Sequence, residues 1–233
     1  MTSDQATNSS PLAYTVRRAT VQPELLGLWD SPAWRQAEAL AVTHFHAASS
    51  DHRPQTRAKL LYDDDGIYAI FDVRDRYVRC VHSTFQDPVY TDSCVELFLE
   101  PKPGQGYFNF EFNCGGALLL HHSQVTQQDG KREKTFVEVD AEHIQGLRVY
   151  HSMPKVVEVE IQTPTDWRLE CFIPFTVFAP YIGAVGNVAT QAWRANFFKC
   201  GDETSHPHWA TWAPLGNEEL NFHQPSFFAP LQF

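Results

Sequence analysis

The chain has 233 residues, 43% of them hydrophobic and 13% aromatic, so it is long enough to bury the core of one full domain. Its 28 acidic and 18 basic residues give a formal net charge of -10, which disfavours nucleic acid and anionic membrane surfaces as partners. The 15 prolines and 12 glycines indicate many turns between short elements, a composition that suits strands better than helices.

The amino-terminal segment is polar. Met1 to Ser10 have neither a basic start nor an apolar stretch, so they do not read as a secretory signal, and residues 1–24 are expected to form a polar leader. No run of about 18 apolar residues follows, which predicts no membrane span. The five cysteines, an odd number without a CxxC pair, are typical of reduced thiols. These features together predict a cytoplasmic protein.

The clearest local signal lies between Ala58 and Val73. Two β-rich runs flank Asp63-Asp64-Asp65-Gly66, and Asp-Gly in that position predicts a hairpin because glycine tolerates a positive φ. Further strands are predicted at Val95–Leu99, Tyr107–Asn113, Ala117–His121, Val156–Ile161, Trp167–Ile173 and Trp193–Lys199. The sequence also predicts a mobile loop at Gln128–Lys134, a helical turn at Phe175–Ile182 and a closing edge at Leu231–Phe233. The pattern indicates an all-β fold, a single antiparallel, jelly-roll-like β-sandwich over residues 25–233.

Alternation along these strands separates a core face from a polar face. Phe108, Phe110 and Phe112 share one face of their strand, and the residues between them share the other. If the strands are neighbours, one polar surface contains Glu96, Asn109, Glu111, Asn113, Glu170, Arg194 and Asn196. Asparagine is unfavourable in strands, which favours a functional role for this surface. A solvated face crossed by Glu–Arg pairs is the alternative.

Five segments taken in order carry a family resemblance. They are Leu61–Asp75, Asp92–Glu100, Tyr107–Asn113, Trp193–Lys199 and Trp212–Phe233. This series resembles the family 9 carbohydrate-binding modules and their relatives in the DOMON-like superfamily, over residues 25–233. The resemblance implies a β-sandwich that binds carbohydrate, often with calcium. In the well-studied members two tryptophans clasp a terminal sugar, and charged and amide side chains reach its hydroxyls.

Neither clasp tryptophan is present in this sequence. Val89 and Tyr90 occupy the first position and Phe222 the second, while the family glutamate corresponds to Glu96 and the expected arginine falls at Glu111. The hydrogen-bonding candidates for a mono- or oligosaccharide are Glu96, Asn109, Glu111, Asn113, Arg194, Asn196 and Lys199, and the stacking candidates are Tyr90, Trp209, Trp212 and Phe222. For each aromatic the alternative is a place in the core. A glycoside-processing enzyme encoded elsewhere is a further expected partner.

Metal sites are expected from two kinds of residue. Calcium prefers carboxylate and carbonyl oxygens, and the candidate ligands are Asp63, Asp65, Asp72 and Asp75, although Asp-Gly hairpins also carry aspartates without a metal. Histidine clusters at His44 and His46, at His121 and His122, and between Cys200 and His208 are candidates for zinc. Met153 beside His151 leaves open a haem site of the kind that some DOMON-like relatives have.

Two other classes of function compete with sugar binding. Glu96 and Glu111 on one face are suited to act as the acid and base of a glycoside hydrolase. A protein-interaction domain with a decayed sugar site would instead show an exposed apolar patch. Non-catalytic carbohydrate binding is the function that the sequence favours.

Overall fold

The computed structural model of the protein describes residues 12–128, 131–216 and 219–233, so Met1 to Ser10 lie outside the described ranges. The strands are β1 Tyr14–Thr15, β2 Arg17–Arg18, β3 Leu40–Val42, β4 His44–Phe45, β5 Gln55–Tyr62, β6 Gly66–Asp75, β7 Val78–Cys80, β8 Cys94–Glu100, β9 Tyr107–Asn113, β10 Leu118–Gln128, β11 Lys131–Glu138, β12 Arg148–His151, β13 Val157–Ile161, β14 Thr165–Pro174, β15 Trp193–Cys200, β16 Trp209–Thr211 and β17 Ala229–Gln232. The described ranges also contain one α-helical turn, α1 Ala179–Ile182, and 3₁₀ turns at Trp34–Gln36, Val89–Thr91, Ala141–Ile144, Phe175–Val177, Val188–Thr190 and Pro225–Phe227. Within the described ranges, no helix has both the length and the apolar character needed to cross a bilayer.

Two sheets stack face to face. The first has the strand order β1-β17-β15-β8-β9-β10-β11, with β16 beside β15 and β4 beside β16. The second has the order β12-β14-β6-β5-β2, with β3 also paired to β5, and β7 pairs separately with β13. All long neighbouring strands are antiparallel, and only the short pairs β1–β17 and β2–β5 are parallel among the described strands. The predicted all-β sandwich is confirmed.

The first two strands lie inside the segment expected to be a polar leader. Tyr14 pairs with Leu231 in the first sheet, and Arg17 pairs with Leu61 in the second. The Tyr14 hydroxyl donates to the Glu38 carbonyl at 2.6 Å and accepts the Leu60 amide at 3.0 Å. Residues 14–18 therefore contribute a strand to each sheet of the sandwich.

The main core fills the space between the sheets. Leu97 and Phe110 of the first sheet and Phe71 and Leu169 of the second are fully buried members of one hydrophobic cluster. These are the inward positions that strand alternation selects, because successive side chains point to opposite faces. The outer face of the first sheet therefore lies outside this core.

The predicted hairpin is present, but Gly66 serves it in an unexpected way. The turn is held by the Asp63 carboxylate, which accepts the amides of Asp65 and Gly66 at 2.9 and 3.0 Å. Gly66 is not among the residues with a positive φ. A Cβ at this position would instead lie 2.3 Å from the Ile173 carbonyl oxygen, so glycine is required by close backbone approach.

The predicted loop at Gln128–Lys134 is wrong for the described residues. Strand β10 continues to Gln128, and β11 begins at Lys131 and pairs with it in antiparallel register. Residues 129–130 lie outside the described ranges. The charged residues sit on an extended hairpin, where strand pairing with β10 overrides their low β-propensity.

A buried charge cluster lies on the core side of the first sheet. Lys199 is fully buried, and its ammonium lies 2.7 Å from His208 Nε2 and 3.4 Å from Asp75 Oδ2. The second Asp75 oxygen bonds His52 Nε2 at 2.7 Å, and Trp167 Nε1 donates to the same carboxylate at 3.3 Å. Since β15 and β6 belong to different sheets, this cluster joins the two sheets.

The cluster shifts the pKa values of Asp75 and His208. Burial alone would raise the pKa of Asp75, but the Lys199 ammonium and the bond from His52 lower it below its ordinary value. Burial, reinforced by Lys199, lowers the pKa of His208 from 6.5 to about 3. Neutral His208 accepts the Lys199 proton at Nε2, and its Nδ1–H donates to the His206 carbonyl at 2.9 Å.

Removing the Lys199 ammonium leaves Asp75 buried without its cation. We expect Lys199→Ala to lower the free energy of unfolding by about 3–5 kcal/mol, the range for breaking a buried ion pair. Lys155→Ala, at an exposed lysine, should change it by less than about 0.5 kcal/mol. Urea unfolding of the three proteins measures the difference, and equal midpoints for the two variants would contradict it.

The lowered pKa of His208 makes stability depend on acidity. Below about pH 6.5 the histidine of the unfolded chain takes up a proton that the folded protein does not bind, so this contribution is full above pH 6.5 and is lost as the pH falls towards 3. We expect His208→Gln to flatten the dependence of unfolding free energy on pH between about 6.5 and 4. Urea titrations at several pH values measure the slope, and an unchanged slope would disprove the assignment.

Candidate binding cleft

A cleft of about 400 Å³ opens on the outer face of the first sheet. Its volume falls within the roughly 300–1,000 Å³ typical of small-molecule sites. The lining residues come from β8, β9, β10, β11, β15 and β16 and from the segments around residues 90, 202 and 221. They are Tyr90, Glu96, Phe98, Asn109, Glu111, Leu119, His121, Lys134, Phe136, Cys200, Asp202, Trp209, Leu220, Asn221, Phe222 and His223.

The floor of the cleft is a buried row of carboxyl and amide groups. Glu96 on β8 lies directly opposite Glu111 on β9, and the two side chains are 2% and 4% exposed. Asn109 Nδ2 donates to Glu111 Oε1 at 2.8 Å, and the Ser123 hydroxyl donates to Asn109 Oδ1 at 3.3 Å. Asn109 is therefore held in one orientation, and it fixes the position of Glu111.

Burial controls the protonation of both glutamates. It raises the pKa of Glu111 from 4.5 to about 7. It raises the pKa of Glu96 well above 4.5, with smaller contributions from Cys200 and from the facing Glu111. This shift favours the protonated form of Glu96, so the floor offers both hydrogen-bond donors and acceptors.

Aromatic rings form the walls of the cleft. Tyr90 is 39% exposed and Phe136 is 54% exposed, whereas Trp209 and Phe222 are half-buried. Trp209 Nε1 donates to Asp202 Oδ1 at 2.7 Å, and Phe222 stacks on Phe198 with ring centroids 4.3 Å apart. The rings surround a polar floor, an arrangement that suits a ligand with one apolar face and several hydroxyls.

The structure brings together some of the sequence-predicted ligand residues and separates others. Six of them line the cleft: Tyr90, Glu96, Asn109, Glu111, Trp209 and Phe222. Five do not line it: Asn113, Arg194, Asn196, Lys199 and Trp212.

Three of these five candidates use their side-chain polar groups in hydrogen bonds that stabilise the fold. Asn196 donates from Nδ2 to the Ala213 carbonyl and accepts two backbone amides at Oδ1. Asn113 Nδ2 donates to the His82 carbonyl and to Asp92. Arg194 bonds Glu100 and the Phe228 carbonyl at the far end of β15. These hydrogen bonds occupy the groups that were expected to reach a sugar.

Two further candidates face the core, and the predicted polar surface is smaller than expected. Lys199 points inward to Asp75, and Trp212 packs edge-on against Tyr14 and Phe197. Glu170 lies in β14 of the second sheet, where it accepts Trp34 Nε1 at 2.8 Å. The prediction assumed that the strands of Glu170 and Glu96 are neighbours. They lie in different sheets, so Glu170 does not share a surface with Glu96.

Several cleft residues were not selected from the sequence as sugar ligands. They include His121, Lys134, Phe136, Asp202, Asn221 and His223. His121 and Phe136 stack on adjacent strands with centroids 4.5 Å apart. The predicted strand ended at His121 and a loop was predicted at Gln128–Lys134, so the pairing of β10 with β11 that places Phe136 beside the polar face was not predicted.

The four candidate calcium ligands do not converge on one point. Asp72 bonds Arg57 and Arg168, at 2.6 and 2.7 Å. Asp75 faces the core and bonds His52 and Lys199, Asp63 caps the hairpin turn, and Asp65 is exposed at its tip. Carboxylates already paired with arginine or lysine do not offer the six to eight oxygens that calcium takes, so this donor set does not fit the ion.

The histidine clusters also divide between different parts of the fold. His121 lines the cleft, while His122 is buried on the other face and bonds the Gln105 carbonyl. His208 belongs to the core cluster, and the His206 ring stacks on Tyr77 at 3.6 Å. None of these histidines belongs to a compact group of three possible ligand atoms in the residues that the structure describes. A different histidine, His143, lies in such a group with Asp140 and Glu142 at the surface.

A β-sandwich with an aromatic-walled polar cleft on one sheet defines a carbohydrate-binding class of module. Residues 33–233 match the model of carbohydrate-binding family 9, and the chain belongs to that family. No curated protein matches the sequence at a significant level.

Solved structures agree with this assignment. A putative carbohydrate-binding protein from Bacteroides uniformis ATCC 8492 superposes with a TM-score of 0.80 at 26% identity, covering 95% of this chain and 99% of that one. A family 9 module from Caldicellulosiruptor kristjanssonii in complex with cellotriose gives 0.61 at 15% identity, covering 95% and 93%. The same organism's family 9 module in complex with glucose gives 0.57 at 14% identity, covering 94% of each chain. The last two show the shared fold.

The hydrogen bonds of Asn196 separate a structural role from a ligand-binding one. We expect Asn196→Ala to lower the free energy of unfolding by about 1–3 kcal/mol, because the Ala213 amide and carbonyl lose their partner. Chemical denaturation measures the loss. Gln145→Ala, at an exposed amide side chain, is the control and should change stability by less than about 0.5 kcal/mol. A fully stable Asn196→Ala variant would contradict the structural role.

Proposed function

We propose that the cleft on the first sheet binds a neutral mono- or oligosaccharide without altering it. The carrying observation is the placement of Tyr90, Phe136, Trp209 and Phe222 around a buried floor of carboxyl and amide groups. The fold and the family support carbohydrate binding, and the geometry of the cleft supports this location for it.

The chemistry of the walls and floor matches a sugar ring. The C–H face of a pyranose packs on a flat aromatic ring, and exposed Tyr90 offers such a surface at the cleft mouth. A sugar hydroxyl both donates and accepts, and it needs fixed partners of both kinds. Glu96, whose acid form burial favours, and the Asn109–Glu111 pair provide them at the floor.

The charge of the cleft favours a neutral sugar over an acidic one. Glu96, Glu111 and Asp202 all line it, and any ionised fraction of these groups repels a ligand carboxylate. Glucose and cellotriose, which solved family 9 relatives hold, are neutral. Glucose and its β-linked oligomers are therefore the first ligands to test.

A hydrolase using Glu96 and Glu111 is the second candidate, because the two carboxyls face each other across adjacent strands. A glycosidase needs one ionised and one protonated carboxyl at the working pH. Burial raises the pKa of both groups here, so the carboxylate that would act as base is held partly or wholly in its acid form. The family match to carbohydrate-binding modules supports binding without chemistry instead.

Calorimetric titration of the purified chain tests the proposal. We expect saturable heat with a neutral sugar and weaker or no heat with the matching uronic acid. Tyr90→Ala should weaken the affinity about tenfold, equivalent to about 1.4 kcal/mol of lost stacking. Tyr150→Ala, on β12 of the second sheet, is the control and should bind as the unmodified protein does.

Other outcomes would redirect the function. If no sugar gives heat of binding, a protein-interaction domain becomes the favoured function. Its surface would include Phe136 and Val137, both more than half exposed. Release of new reducing ends from an oligosaccharide would establish hydrolysis. Repeating the titration with and without calcium tests the cofactor expected from the family, and co-purification tests for a glycoside-processing enzyme as partner.

A further inference from the structure

Two cysteines face each other beneath the cleft. Cys94 on β8 and Cys200 on β15 are direct cross-strand partners, and both are at most 1% exposed. Glu96 lies two residues after Cys94, so alternation places its carboxyl on the same face. Strand register alone thus gathers two sulfurs and one carboxyl outside the main core.

The ligand atoms of this group are already close together. One atom from each of Cys94, Glu96 and Cys200 lies within 4.8 Å of the other two, and the Cys200 thiol donates to Glu96 Oε1 at 3.1 Å. Zinc takes sulfur at about 2.3 Å and carboxylate oxygen at about 2.0–2.2 Å, which puts tetrahedral ligand atoms roughly 3.5–3.8 Å apart. Small side-chain rotations cover the remaining difference.

The group is also reachable, and its acidic neighbours in the cleft, Glu111 and Asp202, outnumber the one lysine among the lining residues, Lys134. Glu96 and Cys200 both line the cleft, so an ion can enter from that side. Glu111 faces Glu96 across the strands, and Asp202 lines the same space. The nearest buried ammonium, that of Lys199, is turned to the other face of the sheet and bonds Asp75 there.

We propose that Cys94, Cys200 and Glu96 bind a thiophilic divalent cation, zinc, with a fourth position open to the cleft. Two thiolates select zinc over calcium, which prefers oxygen ligands. Three protein ligands and one open position are the arrangement of zinc sites that accept a water or a ligand oxygen. The site stands on these three side chains and does not depend on which sugar the cleft holds.

Cobalt titration of the reduced, metal-free full chain tests the site. We expect one equivalent of Co²⁺ to give thiolate-to-cobalt charge-transfer absorption and the intense visible bands of tetrahedral cobalt, both abolished by one equivalent of Zn²⁺. Cys200→Ser and Glu96→Gln should each weaken cobalt binding at least tenfold. Cys171→Ser, at another fully buried thiol, and Cys80→Ser, beside Cys114, are the controls and should keep the spectrum.

The opposite results are equally distinct. Reduced protein that shows no charge-transfer absorption, or a spectrum that survives Cys200→Ser, overturns the proposal. A Cys94–Cys200 disulfide found by peptide mass spectrometry after incubation with zinc also overturns it. If Cys200→Ser does not fold, cadmium-113 NMR of the unmodified protein and of Cys80→Ser counts the sulfur ligands. Two sulfurs that persist in Cys80→Ser support the site, and any other count refutes it.

Discussion

Burial of both faces of β8 and β9 is the constraint on which the rest of the structure depends. All seven residues of each strand are buried, although only one face meets the second sheet. A polar side chain on the other face is removed from water and must find partners inside the protein. Asn109, Glu111 and Ser123 satisfy one another in this way, and Cys200 bonds Glu96. The floor of the cleft is therefore fixed before any ligand enters.

The inner face of the same sheet carries its own buried charges. The contacts of Lys199 with Asp75 and His208 connect β15 to the second sheet. The same strand supplies Cys200 to the cleft on the outer face. Opposite charges are close enough on the inner face for Asp75 to stay ionised despite its burial. On the outer face no such compensation governs Glu96, and burial raises its pKa instead. The acids that lie against the two faces of the first sheet thus have pKa values shifted in opposite directions.

The cleft lacks the pair of tryptophans that the family resemblance implied for a sugar-clasping site. Tyr90 and Phe222 stand where tryptophans were expected, and both line the cleft with Trp209. Glu111 stands where an arginine was expected and replaces a fixed cation by a titrating acid. The shared fold does not determine the ligand, since sequence identity to the sugar-bound relatives is 14–15%. Under the proposed function, the side chains of this cleft decide which ligand binds.

The sequence by itself determined the all-β architecture, the hairpin at Asp63–Gly66 and the alternation that puts Glu96, Asn109 and Glu111 on one face, because these are local properties of the backbone. The same alternation places Lys199 with Phe197 on the inner face, away from the cleft. Only the tertiary structure decided that β14, with Glu170, belongs to the other sheet. It also decided that Trp212 packs in the core and that Asp202 and Phe136 complete the cleft. Strand neighbours are chosen by contacts between distant segments, and no local pattern encodes them.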